Sequence, residues 1–255
     1  MGKNVKRLYE QFRPENYNLG IDLDHGNFKF SGKVVITGQK TGRPSQRITL
    51  HQKDLKISSA AITHHGKETE EIAISRVNSH AGHDEVRLHT EKLLYPGKYT
   101  VELEFSGKIT DVMHGLYPCY YKKDGEKQHL LATQFESHYA REVFPCIDEP
   151  EAKAIFTLSL SGPKDMTFLS NTPEKSNAVK GDQRAVSFEP TPSMSTYLLA
   201  FVVGEMHCVE AKTKDGITLR TWASIAQPKR FLEFANKEAV DILEFYQDYF
   251  QTPYP

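Results

Sequence analysis

The sequence has 255 residues, 32 basic against 33 acidic side chains and a formal net charge of −1. With both signs interspersed there is no broad basic field, so no nucleic-acid partner is expected, and no apolar run is long enough to cross a bilayer, so no membrane partner is expected either. Twelve Tyr and fourteen Phe within a 38% hydrophobic composition exclude a disordered chain and suffice for a sizeable core.

Along the chain the dominant hydrophobic period is two from Tyr17 to about Gly204. "FKFSGKVVITG" puts Phe28, Phe30, Val34 and Ile36 on one face. "YTVELEFSG" does the same with Val101, Leu103 and Phe105, and "IFTLSLSG" with Phe156, Leu158 and Leu160. Turn signals punctuate these runs: "DHGN", "KTGRPSQ", "YPGK", "KKDGEK" and "VKGDQ". Their spacing suits antiparallel hairpins rather than βαβ crossovers. The reading is a mainly β protein of roughly ten or more strands, a large antiparallel β-sandwich or open saddle. Residues 63–84 are polar and His-rich, as in an exposed hairpin region.

The pattern changes after Gly204. "GITLRTWA" reads as a further strand, and Pro228, suited to a first helical turn, introduces a long amphipathic helix. Its apolar stripe is Leu232, Ala235, Ala239, Ile242, Leu243 and Tyr246. A lone helix after a β-domain reads as the opening of a second domain that has been cut away, and an uncovered stripe of this kind predicts self-association.

Chemistry is sparse. The eleven histidines include no H-E-x-x-H pair that would place two imidazoles and a glutamate on one helical face, and they read as loop and strand residues. No nucleophile elbow, phosphate loop or dinucleotide fingerprint occurs. Cys119, Cys146 and Cys208 are widely spaced and odd in number, and no N-x-S/T sequon is present, which points to a reducing, cytoplasmic setting.

One stretch gathers functional side chains: "TQFESHYAREVFPCIDEPEAKAIF", residues 133–156. In an extended chain Gln134 and Glu136 project from one face while Phe135 anchors the other. A shielded carboxylate at Glu136 could bind a protonated amine, and the Gln134 amide could donate to and accept from a peptide unit. On spacing alone, Glu136 could equally pair with Arg141 or a lysine at the surface. "FPCIDEP" reads as a proline-bounded turn in which Asp148 and Glu149 bond backbone groups instead of acting on a substrate.

These residues resemble the signature of the zinc-dependent aminopeptidase-N-like (gluzincin) peptidases, usually Q-F-E-x-T-D-A-R-R-x-F-P-C-x-D-E-P-x-x-K-A-x-F. "TPSMSTYLLAFVVGEM" and "YQDYFQTPYP" resemble two further stretches of that family, in order. The resemblance implies an N-terminal saddle-like β-domain over residues 1–207, followed over 208–255 by the first strand and helix of a truncated thermolysin-like α/β catalytic domain. It also implies that Glu136 ligates the substrate α-ammonium group and that Gln134 positions the residues flanking the scissile bond, the substrates being peptides with a free N-terminus. Zinc in the parent protein would be held by ligands beyond residue 255, so no catalytic residue and no metal is expected in this chain, and it is not expected to act alone. Tyr139 and Glu142 depart from the family's usual Asp and Arg, which puts a local ion pair in doubt. The alternative is a non-catalytic scaffold on the same β-domain, and retention of both Gln134 and Glu136 argues against it.

Overall fold

The computed structural model describes residues 7–254. In chain order its strands are β1 (Phe12–Asp24), β2 (Lys29–Lys40), β3 (Ser45–His51), β4 (Lys56–His65), β5 (Thr69–Ile72), β6 (Ile74–His80), β7 (Glu85–Leu94), β8 (Gly97–Lys108) and β9 (Gly115–Lys123). There follow β10 (Glu126–Gln134), β11 (Ile155–Pro163), β12 (Thr167–Ser170), β13 (Glu174–Lys180), β14 (Gln183–Phe188), β15 (Phe201–Gly204), β16 (Met206–Lys212), β17 (Thr218–Ser224) and the helix α1 (Arg230–Phe250). The protein is mainly β, as the two-residue period implied. The five turn signals read from sequence all fall at connections between consecutive strands.

The largest sheet has eight strands in the order β13-β14-β11-β1-β2-β8-β4-β5, beside a three-stranded sheet β3-β7-β6 and a four-stranded sheet β12-β15-β10-β9. Its alternation buries Tyr17, Leu19 and Ile21 of β1 with Val34 and Ile36 of β2, Val101, Leu103 and Phe105 of β8, and Phe156, Leu158 and Leu160 of β11. Each such side chain, removed from water, contributes about 1.5–3 kcal/mol.

Two details depart from the sequence reading. Phe28 is not on the β2 face: it sits half-buried in the β1–β2 turn with φ of 53°, because the turn needs a left-handed residue there and β2 begins only at Lys29. The hairpin pattern also has an exception, since β1 pairs in parallel with β11, Tyr17 beside Phe156 and Leu19 beside Leu158. The two strands are far apart in sequence, so no local turn could report the pairing. At the β1 bulge between Pro14 and Asn16 the strands approach so closely that a Cβ on Gly38 would lie 2.4 Å from the Arg13 carbonyl oxygen. Glycine is required there by contact with backbone that cannot move aside.

The chain forms two compact units, Met1–Pro118 with Leu131–Val202, and Cys119–Leu130 with Val203–Pro255. In the second, the antiparallel pair β16–β17 carries α1. The buried face of α1 is Leu232 and Asn236, with Ala239 and Leu243 half-buried, whereas Ala235, Ile242 and Tyr246 of the predicted stripe are exposed. Asn236 shifts the face: its amide donates to Thr221 Oγ1 at 3.1 Å and lies against the Leu219 and Val209 carbonyls. A buried amide whose N–H groups find acceptors loses much less by leaving water than an unpaired one. The other side presents Phe231, Phe234, Phe245 and Tyr249, all exposed.

Candidate substrate-binding site

β10 ends at Gln134, and alternation carries through the next two residues: Gln134 and Glu136 are exposed while Phe135 between them is buried. Phe135 meets Phe144 edge-on at 6.1 Å, and Phe144 meets both Tyr17 and Phe156 edge-on at 6.1 and 6.4 Å. Tyr17 and Phe156 stack at 4.8 Å across the parallel β1–β11 pair, so the anchor beneath Glu136 belongs to the core of the large sheet.

Above this anchor the two polar side chains are arranged as a pair. The Glu136 backbone N–H donates to Gln134 Oε1 at 2.9 Å, which holds the amide against the turn. No cation among the described residues lies within ion-pairing distance of the Glu136 carboxylate. The surface pair with Arg141 that spacing allowed does not form, because Arg141 is engaged elsewhere. Its Nε donates to Asp148 Oδ2 at 3.0 Å, its Nη2 to the Asp148 carbonyl at 3.2 Å, and its backbone N–H to the same carboxylate at 3.4 Å.

Asp148 is thereby the knot of the "FPCIDEP" turn. Its side chain is 0% exposed and also accepts from Thr196 Oγ1 at 2.6 Å. Its backbone N–H donates to His51 Nδ1 at 3.0 Å, and the preceding Ile147 N–H donates to the Tyr17 hydroxyl at 3.0 Å. His51 and Cys146 exchange both backbone hydrogen bonds, at 2.7 and 3.1 Å. Glu149 accepts from Leu8 N–H at 2.6 Å and pairs with Arg7 at 2.7 Å. Both carboxylates therefore do the structural work the sequence suggested, but they tie distant segments together instead of closing their own turn. His51, Thr196 and Tyr17 were not legible as parts of this site, since each is an isolated residue with no spacing signal to Asp148.

Burial, with Arg141 and His138 adding like charge, pushes the His51 imidazole down to about 3. Unfolded, it would protonate near its ordinary value of about 6.5. A base whose folded value is depressed contributes stability that is complete above pH about 6.5 and is lost as pH falls toward about 3. His51→Asn, whose Oδ1 can replace Nδ1 as acceptor, is expected to flatten the stability-versus-pH curve in that window by up to about 1.4 kcal/mol per pH unit. Urea denaturation at a series of pH values checks this, and an unchanged slope would remove His51 from the acid response.

The Tyr139 and Glu142 departures from the usual motif are accommodated together. Glu142 accepts from Lys53 at 2.9 Å and pairs with His114 Nδ1 at 2.8 Å, so an ion pair exists here with partners of its own. Tyr139 stacks between His114 at 4.1 Å and His138 at 4.9 Å. Among the described residues no group of three or more His, Cys, Asp or Glu side chains could hold a metal ion. These residues do not fit a zinc centre.

Residues 13–198 match the model of the peptidase M1 N-terminal domain. The chain belongs to the peptidase M1 family. It is 44% identical to an aminopeptidase N of Lactococcus lactis subsp. lactis, over 100% of this chain and 29% of the relative. It is 37% identical to an aminopeptidase N of Lactobacillus delbrueckii subsp. lactis, over 98% and 28%, and 35% identical to aminopeptidase M1-A of Oryza sativa subsp. japonica, over 95% and 27%. The chain thus spans less than a third of these relatives, corresponding to their peptidase M1 N-terminal domain and the residues that follow it. Gln134, Glu136 and the Asp148 knot all lie inside the matched M1 segment. No helix among the described residues is long and apolar enough to cross a membrane.

Proposed function

We propose that this chain supplies the amine-recognising part of a zinc aminopeptidase that removes N-terminal residues from peptides. The observation that carries the reading is the Glu136 carboxylate, exposed and without a cation among the described residues, on a backbone fixed by Phe135 below and Gln134 beside it. An exopeptidase must measure one residue from a charged terminus. A fixed carboxylate does so by accepting charge-assisted hydrogen bonds from an α-ammonium group, while Gln134 bonds the peptide groups flanking the scissile bond.

Zinc would be held by residues of the whole protein outside this sequence and would polarise the scissile carbonyl. Residues 1–207 act as the N-terminal β-domain, and residues 208–255 open the catalytic domain, which is the chain's principal partner. The exposed aromatic side of α1 is the surface through which these 255 residues by themselves would associate with a second copy. The three free cysteines suit a cytoplasmic setting.

The test uses the whole protein with aminoacyl-naphthylamides and their N-acetylated counterparts. Turnover of the free amines alone, abolished by a chelator and restored by zinc, is expected. Comparable turnover of the acetylated compounds would overturn the assignment of Glu136.

A further inference from the structure

The tight connection between β6 and β7 carries two histidines that neither the core nor the Glu136 site uses. His80 ends β6 opposite Glu85, and the intervening residues make a 3-10 turn, Ala81–His83, closed by Asp84 in the left-handed region with φ of 51°. The Asp84 N–H donates to the Ala81 carbonyl at 3.3 Å, and the Asp84 carbonyl accepts from Gln52 N–H at 2.7 Å, so the turn is tied to the end of β3. On this frame the His80 and His83 rings stand nearly perpendicular, 4.6 Å between centroids, with their Nδ1 atoms 3.2 Å apart.

We propose that His80 and His83 form a bidentate surface site for a borderline divalent transition cation, Ni²⁺, Zn²⁺ or Cu²⁺. Two imidazole nitrogens at 2.0–2.1 Å from one ion are separated by about 2.9 Å in a right-angled geometry and about 3.4 Å in a tetrahedral one. The observed 3.2 Å lies between these values. As neutral rings the pair shares one Nδ1 hydrogen, one ring donating and the other accepting. When a cation enters, the donor ring moves its hydrogen to Nε2, and both Nδ1 lone pairs point at the metal with no net proton released. Imidazole suits these ions better than it suits Mg²⁺ or Ca²⁺, which take oxygen ligands.

Neighbouring charges permit a cation. Arg87 is neutralised by Glu85 at 2.6 Å, and Asp84 lies next to the pair in sequence, with its carboxylate 3.8 Å from the Arg141 guanidinium. With no third side-chain ligand among the described residues, water completes the coordination and affinity is set by the two rings.

The experiment titrates Ni²⁺ into the 255-residue chain freed of any affinity tag, by calorimetry and by NMR of the histidine ring protons. One-to-one binding is expected, with paramagnetic broadening greatest at His80 and His83. His80→Ala and His83→Ala should each weaken it about ten-fold or more, since a chelate loses one of two ligands, while His89→Ala leaves it unchanged. His83 is exposed and His80 half-buried at the end of β6, so neither substitution opens the core, and far-ultraviolet circular dichroism verifies the fold. Absence of binding at millimolar Ni²⁺, or binding that persists in the double variant, overturns the proposal.

Discussion

Replacing Glu136 by glutamine in the whole protein is expected to lower kcat/KM for aminoacyl-naphthylamides about 10²–10³-fold, the cost of removing one member of a charge pair at a binding site. Glutamine keeps the shape and the acceptor oxygen, so the loss reports charge. Because the side chain is exposed and makes no hydrogen bond of its own among the described residues, stability should change by no more than about 0.5 kcal/mol. The two readouts separate the roles: a recognition residue moves the kinetics alone. Preference for a free amine over an acetylated one should collapse in the same variant, because a neutral amide no longer rewards the ammonium charge. A variant with wild-type kcat/KM would show that the amine is read elsewhere.

The second large effect is on stability. Asp148→Ala removes the one carboxylate that accepts from Arg141, Thr196 and the Arg141 backbone, and the guanidinium left behind is only 13% exposed. Breaking a buried pair from one side costs about 3–5 kcal/mol, since the surviving charge stays desolvated, here with only the Asp84 carboxylate, 3.8 Å away, opposite it. The midpoint of urea denaturation should fall accordingly, with an unchanged slope. Replacing both partners, Arg141→Met with Asp148→Leu, should recover part of the loss, because no orphan charge then remains. A loss below about 1 kcal/mol for Asp148→Ala would mean that Arg141 reaches water easily, and that the knot does not hold the segment carrying Glu136.

Local chemistry made much of this protein legible. The buried faces of β2, β8 and β11 follow from a period of two, and the hairpin connections follow from Gly, Asp, Asn and Pro at turn positions, because both depend on residues within a few places of each other. The pairing of Gln134 with Glu136 on one face above Phe135 is the same argument on a shorter scale. The helix was legible as a helix, but its inward face was not. Hydrophobicity pointed to Ala235, Ile242 and Tyr246, and Asn236 was buried instead because carbonyls and a hydroxyl of β16 and β17 were there to receive its amide.

What the amino-acid order determined by itself was therefore the element types, the core-facing residues of β2, β8 and β11, and the exposure of Gln134 and Glu136 on one face above Phe135. Tertiary structure alone decided their company. The parallel β1–β11 pair joins distant strands, and the Asp148 knot draws Thr196 and His51 from 48 and 97 residues away. Spacing left Arg141 free to choose between Glu136 and Asp148. Burial made the choice, since a desolvated carboxylate gains far more from a guanidinium than an exposed one does, and that choice is what leaves Glu136 open.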